Sequence, residues 1–210
     1  MAQRAGQRRS LPEGDCTVSV TLTSQNFIQR SISPADDLLP LQRWLADAEL
    51  MAALNLPVRH LKLEDLARYV AGFDNKSSFI LGFCERGNDT LLGYRLIELN
   101  RFHRRASMHI LIAEERYRSR RVTDETSVAF YDWMFGTMGV NKVVGEIVEG
   151  NQRAIRRAEA FGYVYEATLR QELLSADQSR FFNQMRFALF ADSWPQVRSA
   201  AVERLANQLT

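Results

Sequence analysis

The stretch from Tyr117 to Gly162 constrains the fold more than any other part of this sequence. It opens with a basic turn, Tyr117-Arg118-Ser119-Arg120-Arg121, and a helical pattern follows over residues 122–138. Apolar residues then predict a strand over Lys142–Val148 and a second helix over residues 151–161. A turn that leads from a strand into a helix suits a phosphate group, because free backbone N–H groups and the positive end of the helix dipole point into it.

The length, charge and cysteine content of the whole chain are those of an ordinary globular protein. The 210 residues are enough for one core, and 46% apolar with 25% charged residues is typical of soluble globular domains. A net charge of +2 does not favour nucleic acid as a partner, and no apolar run reaches the ~18 residues that span a membrane. Cys16 and Cys84 show neither metal-ligand spacing nor a set of disulfide partners, so we expect free thiols and a cytoplasmic protein.

The remaining segments add helices and strands in an order typical of a mixed α+β domain. Residues 1–17 are polar and are expected to form a flexible tail, followed by a domain over residues 18–192 and a C-terminal helix over residues 193–210. Helical patterns begin at Ser33, where serine, proline and acidic residues suit a helix start, and again near Leu63. Strands are predicted over residues 17–22, 27–32, 79–84, 91–99, 108–113, 142–148, 163–174 and 180–190.

Apolar residues at helical spacing indicate which face of two helices is packed. In the helix over residues 122–138, the face expected to pack on the core carries Val122, Thr126, Ala129, Phe130, Trp133 and Met134. The C-terminal helix has a narrower stripe of Val197, Ala201, Leu205 and Leu209. This stripe can pack on the domain or on a second copy of the chain, so a homodimer stays open.

Four segments carry a resemblance to a known family. They are Trp44–Glu49 on the first helix, Leu92-Gly93-Tyr94 at a strand start, the turn and its helix over residues 117–126, and Gly150–Tyr163, which reads G-N-Q-R-A-I and ends in F-G-Y. Over about residues 25–190 the chain resembles the GCN5-related N-acetyltransferase (GNAT) family, most of all the branch that acetylates ribosomal-protein N-termini. The resemblance implies an α+β fold with a central, mixed, mostly antiparallel twisted sheet flanked by helices. It also implies acetyl-CoA as cosubstrate, no metal, and direct transfer to a primary amine in a ternary complex.

The resemblance also implies where acetyl-CoA binds. The pantetheine arm would pair with the strand end at Ile112 and Ala113, and the pyrophosphate would lie on the turn from Arg118 to Thr123. On the second helix, Asn151 would hydrogen-bond the pantetheine or the reacting amine. The residues expected to contact acetyl-CoA are therefore Ile112, Ala113, Arg118, Ser119, Arg120, Arg121, Val122, Thr123, Asn151, Ala154 and Arg157.

The turn departs from the glycine-rich pattern of the family. Arg121 and Thr123 stand where relatives have glycine or another small residue, and Ser119 stands where glycine is common. Glycine lets the backbone approach a pyrophosphate, so these side chains remove that freedom, while the arginines offer charged donors instead. Asp124 and Glu125 suit the helix dipole but would compete with a phosphate. Phosphate binding and a plain solvated turn are therefore both open.

Acetylation of an alkyl amine requires a group that accepts its proton, because such an amine is mostly charged at neutral pH. The strand before the turn offers His109, a residue type that titrates near neutral pH, although a histidine in a strand is also a common structural partner. His103 and Glu98 are weaker candidates near the same sheet. Relatives use a tyrosine to protonate the leaving thiolate, and Ala158 occupies that place here. Asn151 is the second catalytic candidate, and its alternative role is a helix N-cap.

Two classes of function remain open. One is an acetyl-CoA-dependent N-acetyltransferase whose acceptor is a protein N-terminus, an amino sugar or another small amine. The other is a module of the same fold that binds CoA, a nucleotide or a protein partner without catalysis. The altered glycine positions favour the module, and the intact segment at Asn151 favours the enzyme. Nucleic-acid binding through the arginine turn is disfavoured, because the arginines lack interleaved aromatic residues.

Overall fold

Eight strands form one sheet in the computed structural model, which describes residues 19–118 and 122–207. The predicted N-terminal tail lies outside the described residues, as do residues 119–121 and 208–210. The strands are β1 (Thr21–Thr23), β2 (Phe27–Ser31), β3 (Ser78–Glu85), β4 (Leu91–Asn100), β5 (Arg105–Ile112), β6 (Lys142–Val148), β7 (Val164–Leu174) and β8 (Phe181–Phe190). The α-helices are α1 (Leu39–Ala46), α2 (Ala48–Ala53), α3 (Leu63–Ala71), α4 (Val122–Tyr131), α5 (Gln152–Phe161) and α6 (Trp194–Ala206).

The strand order is β1-β2-β3-β4-β5-β6-β8-β7. Every neighbouring pair is antiparallel except β5 and β6, which run parallel. The parallel pair is joined by a crossover that contains α4, as parallel strands require. The prediction of a mixed, mostly antiparallel sheet flanked by helices is therefore confirmed.

Helices cover both faces of the sheet, and each face has its own apolar core. On one face α1, α2 and α3 pack over β3, β4 and β5 through Leu41, Trp44, Met51, Leu66, Val70, Ile80 and Leu111. On the other face α4, α5 and α6 pack over the centre of the sheet through Phe79, Ile97, Phe130, Met134, Ile155, Phe187 and Trp194. Side chains alternate between these two faces along each strand, so neighbouring residues of β4 and β5 contribute to different cores.

The first helix starts later than its sequence pattern predicts. The carboxylate of Asp36 accepts a hydrogen bond from the backbone N–H of Ser33, so this segment closes a turn, and α1 begins at Leu39 without a side-chain cap. The helical pattern then divides at Asp47, whose side chain accepts from the N–H of Leu50 and begins α2. The expected helix start at Ser33 is therefore wrong, because a local side-chain hydrogen bond competes with helix formation there.

The predicted helix over residues 122–138 has two parts. α4 ends at Tyr131, and the chain continues as a π-helix over Asp132–Thr137. The expected core stripe is largely confirmed, since Val122, Thr126, Phe130 and Met134 are buried. A second stripe of Thr123, Ser127 and Tyr131 is also buried, and it brings polar groups against the sheet.

The C-terminal helix packs on its own chain. Trp194 is buried, and its indole N–H donates to Asp132 at 2.9 Å, where Arg198 also donates. Val197 lies against Gly162, and Ala201 is buried, whereas Leu209 falls outside the described residues. The Ser193 side chain does not cap this helix, because its hydroxyl donates to the carbonyl of Phe190. Within the described residues, no helix combines the length and the hydrophobicity needed to cross a membrane.

Candidate active site

The central parallel strands pair over only part of their length. β5 and β6 are in register from Arg105 opposite Lys142 to Met108 opposite Gly145, and the pairing ends there. Both strands continue, because β5 stays paired with β4 to Ile112 and β6 stays paired with β8 to its end. Backbone groups on the facing edges of His109–Ile112 and Glu146–Val148 therefore have no partner in the sheet. We call this opening the branch cleft.

The far end of β5 is held close to β4. The carbonyl of Leu92 accepts from the N–H groups of Ala113 at 3.0 Å and Glu114 at 3.1 Å. Gly93 lies opposite Ile112, and a Cβ atom built there would come within 2.0 Å of the carbonyl oxygen of Leu111. Only glycine permits this approach of the two backbones, so β5 follows β4 where it leaves β6.

Arg118 folds back onto the end of β5. A 3₁₀ turn over Glu115–Tyr117 separates the strand from this residue, although the sequence predicts a direct passage into the turn. The guanidinium donates from Nε to the carbonyl of Ile112 at 3.3 Å and from Nη2 to the carbonyl of Ala113 at 2.9 Å. Three residues expected to contact acetyl-CoA therefore lie together at one end of the branch cleft.

The start of α4 lies beside α5. The expected site residues Ser119, Arg120 and Arg121 fall outside the described residues. Val122 and Thr123 begin α4 and are buried. Two arginines of α5 reach this region: Arg153 Nη2 donates to the carbonyl of Arg118 at 3.0 Å, and Arg157 Nη2 donates to Asp124 Oδ1 at 2.7 Å.

The two acids in the first turn of α4 have donors of their own. Glu125 accepts hydrogen bonds from the hydroxyl of Ser24 at 2.7 Å and from the side-chain amide of Asn26 at 2.9 Å. Asp124 is bound by Arg157, whose positive charge offsets that of the carboxylate. The competition with phosphate that the sequence suggests is thus weakened, because both carboxylates are engaged by the β1–β2 connection and by α5.

Asn151 caps α5, as its alternative role predicts. Its Oδ1 accepts from the N–H of Ala154 at 3.1 Å, and Gly162 ends the helix in the left-handed region at a φ of 103°. Asn151 is exposed and follows the end of β6 by three residues, while Ala154 is half-buried. The capping bond engages only the side-chain oxygen, so a ligand contact through the amide nitrogen is compatible with it.

His109 is exposed on the face of the sheet opposite α4. It lies directly across from Leu96, and Glu98 is the diagonal neighbour on the same face. His109 is also the first β5 residue past the point where pairing with β6 ends. His103 lies in the turn between β4 and β5, at the end away from the cleft, so the structure does not bring this candidate to the site.

A contact on this same face joins the two halves of the sheet. Asn55 follows α2 with a φ of 54°, a conformation that asparagine tolerates better than most residues. Its side-chain amide donates to the carbonyl of Leu174 at 3.0 Å and accepts from the N–H of Ala176 at 2.8 Å. The β7–β8 hairpin is thereby held against the helices that cover β5. Sequence reasoning missed this contact between Asn55 and the β7–β8 hairpin, because the partners are far apart along the chain.

On the α4 face, a buried polar cluster lies behind the branch point. The hydroxyls of Tyr131 and Tyr163 are 2.5 Å apart, and the Tyr131 hydroxyl is 3.7 Å from the sulfur of Met108. Burial raises the pKa of Tyr131 to about 12, while the neighbouring Arg95 charge acts in the opposite direction. Burial also raises the pKa of Tyr163 well above its usual value.

Sequence reasoning also missed Arg95, which is fully buried on β4. A signal was present in the sequence. Arg95, Ile97 and Leu99 occupy alternate positions of β4, so all three side chains point to the same buried face. Across residues 19–118 and 122–207, no group of three or more His, Cys, Asp or Glu side chains is arranged to hold a metal ion.

Comparison with known proteins identifies one matching family. The model of the acetyltransferase (GNAT) domain matches residues 27–164. No curated protein gives a significant sequence match.

Solved structures share the fold at low sequence identity. A GCN5-related N-acetyltransferase from Brucella melitensis superimposes with a TM-score of 0.71 at 13% identity, covering 88% of this chain and 84% of that one. A ribosomal-protein-S5-alanine acetyltransferase from Vibrio fischeri gives 0.71 at 14% identity, with 83% and 98% covered. A spermidine N-acetyltransferase chimera of Vibrio cholerae SpeG and hSSAT gives 0.68 at 17% identity, with 82% and 99% covered.

Proposed function

This chain belongs to the GNAT acetyltransferase family, and from that membership we propose that it transfers an acetyl group from acetyl-CoA to a primary amine within a ternary complex. The branch cleft is the observation that carries the proposal. Pairing between β5 and β6 ends at Met108 and Gly145, and the free backbone groups beyond them suit a ligand that carries its own amides. The pantetheine arm of acetyl-CoA is such a ligand.

The phosphate end of acetyl-CoA is assigned to the start of α4 and the turn before it. Helix N–H groups and the arginines of the turn supply donors there. Arg118 now covers the carbonyls of Ile112 and Ala113, so in this proposal its guanidinium moves from the strand end to the phosphates. Arg157 keeps Asp124 paired, which limits repulsion of the incoming anion.

The reaction is assigned to the exposed face that carries His109. The amine nitrogen attacks the thioester carbonyl, the carbon–sulfur bond breaks, and the electron pair goes to sulfur. His109 accepts the proton of the amine, and solvent protonates the thiolate, since Ala158 provides no acid. Asn151 donates from its amide nitrogen to the pantetheine or the amine while its oxygen caps α5.

The acceptor is proposed as a protein N-terminus, an amino sugar or another small amine. The wall formed by Asn55 and the β7–β8 hairpin lies on the same face as His109 and would border this acceptor. The non-catalytic module is the second candidate, and the side chains at the glycine positions of the turn favour it. The enzyme and a module that binds CoA both predict CoA in the cleft, so turnover is what separates these two.

The first experiment measures binding and turnover in the same preparation. Calorimetry with acetyl-CoA tests the cleft, and thiol release with a panel of peptides, amino sugars and polyamines tests transfer. Binding with turnover of at least one amine supports the enzyme. Binding without turnover on a broad panel would favour the module, and absence of binding would contradict both the enzyme and a module that binds CoA.

Asn151 is tested with variants that keep the cap. Asn151→Asp and Asn151→Ser should melt close to the wild type, because both side chains cap helices well. Acetyl transfer should fall about tenfold or more, since a lost ligand contact costs tenfold for every 1.4 kcal/mol. Asp47→Asn alters the cap of α2 and should leave transfer unchanged. Normal transfer by both Asn151 variants would reduce this residue to a cap.

His109 is tested against His103, which lies in the turn between β4 and β5, away from the branch cleft. His109→Gln should lower kcat by a factor of about 10² to 10⁴ and remove the acid limb of the pH–rate profile. His103→Gln should change neither quantity. An unchanged pH profile for His109→Gln would remove it as the base.

A further inference from the structure

Arg95 is a buried cation with no counter-ion among the residues that the structure describes. Its side chain is fully inaccessible, with the guanidinium 3.8 Å from the centre of the Phe130 ring and Nη2 donating to the hydroxyl of Ser127 at 3.3 Å. Nε and Nη1 have no hydrogen-bond partner in the part of the chain that the structure describes. Within the described ranges, the charged or titratable neighbours that act on Arg95 are Tyr131 and Tyr163, and no carboxylate is among them.

This arrangement is expected to cost the free protein stability. An unpaired buried charge with unsatisfied donors is costly, and an apolar side chain of similar length would fill the same space and keep the contact with Phe130. Burial lowers the pKa of Arg95 to about 10, so the guanidinium still carries its charge at neutral pH. Within residues 19–118 and 122–207, no carboxylate therefore compensates this positive charge.

The position of Arg95 indicates where that charge acts. It lies opposite Ile110, beyond the last β5 residue that pairs with β6, and so at the level of the branch cleft. Its partner Ser127 donates in turn to the carbonyl of Thr123 in the first turn of α4. The Thr123 hydroxyl is also buried and has no hydrogen-bond partner among the described residues. A chain of polar groups thus leads from the guanidinium to the helix end assigned to the phosphates.

We propose that Arg95 is a positioning residue for anionic ligands, a fixed positive charge behind β5 that favours the phosphate end of acetyl-CoA at the start of α4. The inference rests on the proposed function. In the protein interior the field of a charge is weakly screened, and it adds to that of the α4 dipole. The charge of Arg95 becomes compensated when the anion binds. The same unpaired charge therefore lowers the stability of the free protein and raises its affinity for the anion.

The test removes the charge and measures stability and binding separately. Arg95→Met should raise the melting temperature of the free protein and weaken acetyl-CoA binding roughly tenfold by calorimetry. Arg95→Gln keeps a donor for Ser127 without the charge and should also bind weakly. Arg95→Lys keeps the charge and should retain most of the affinity.

Two controls separate the field from the shape of the site. S-acetylpantetheine lacks the phosphates, so its affinity should be the same for wild type and Arg95→Met. Arg30→Met removes one positive charge elsewhere, where Arg30 pairs with Asp36 at 2.9 Å, and should leave acetyl-CoA binding unchanged.

The outcomes that overturn the inference are distinct from failure of the proposed function. If wild type binds acetyl-CoA and the Met and Gln variants bind equally well, Arg95 has no such role. A parallel loss of affinity for S-acetylpantetheine, or a lower melting temperature of Arg95→Met, would make Arg95 a structural residue. Wild type that binds neither acetyl-CoA nor CoA would refute the proposed function, and this inference with it.

Discussion

The two edges of β6 differ, and the difference creates the candidate site. Along β8, β6 is paired at all seven of its residues, whereas along β5 it is paired at four. Apolar side chains such as Val143 and Leu189 are buried on opposite sides of the β6–β8 boundary, and an ion pair joins Glu146 to Arg186 across it. The sheet therefore opens because β5 leaves β6, and not because β6 is irregular.

What draws β5 away is its contact with β4. Antiparallel pairing between these strands continues to Gly93 opposite Ile112, and the carbonyl of Leu92 then holds two further N–H groups. A continuous boundary on one side of β5 thus compensates for the interrupted one on the other. A cleft can therefore open within a sheet at low cost when each separating strand keeps its outer partner.

The largest expected effect comes from adding one methyl group on the β4 side of β5. Gly93→Ala places Cβ within 2.0 Å of the Leu111 carbonyl, so the β4–β5 backbones must separate. We expect unfolding free energy to fall by about 2–4 kcal/mol. Gly145→Ala on β6 is the matched control: its Cβ would lie 3.7 Å from the Tyr163 ring, an ordinary contact, and should cost less than about 1 kcal/mol. Urea unfolding measures both, and equal losses would contradict the assigned role of the β4–β5 contact.

Much of this fold is predictable from local sequence, and the site is less so. The strand Lys142–Val148 and the helix that Asn151 and Gly162 delimit follow from apolar periodicity and capping residues. The end of β5–β6 pairing is not visible in this way, because it depends on partners far apart in the chain. Periodicity shows that Arg95 points inward but says nothing of its missing counter-ion.

The next effect concerns the tyrosine pair behind the branch point. Burial raises the pKa of Tyr131 to about 12, so the folded protein keeps a proton that the unfolded chain loses near pH 10. This contribution to stability is therefore present below pH 10 and is lost as pH rises towards 12. Its size is about 2–3 kcal/mol, at 1.36 kcal/mol for each pKa unit.

Urea unfolding at pH 8 and at pH 10 to 11 measures this loss. Tyr131→Phe should lose less stability than wild type over that range, and Tyr165→Phe, at an exposed position, should behave as wild type. Arg95 acts in the opposite direction above pH 10, and comparison with wild type cancels that contribution because both proteins contain it. The same alkaline loss in wild type and Tyr131→Phe would show that the pair does not hold its protons.

The smallest expected effect lies on the closed edge of β6. Glu146 and Arg186 lie directly opposite each other, and Arg186 Nη2 is 2.6 Å from Glu146 Oε1. The side chain of Arg186 is 33% exposed and that of Glu146 is 23% exposed. Partial exposure limits such a pair, so a double-mutant cycle of Glu146→Gln and Arg186→Met should give a coupling free energy of about 0.5–1 kcal/mol. Because β6 and β8 remain paired along seven residues, neither variant should change acetyl-CoA affinity. A coupling near zero would assign the closed edge to backbone pairing and apolar burial alone, and a loss of affinity would mean that the two edges of β6 are not independent.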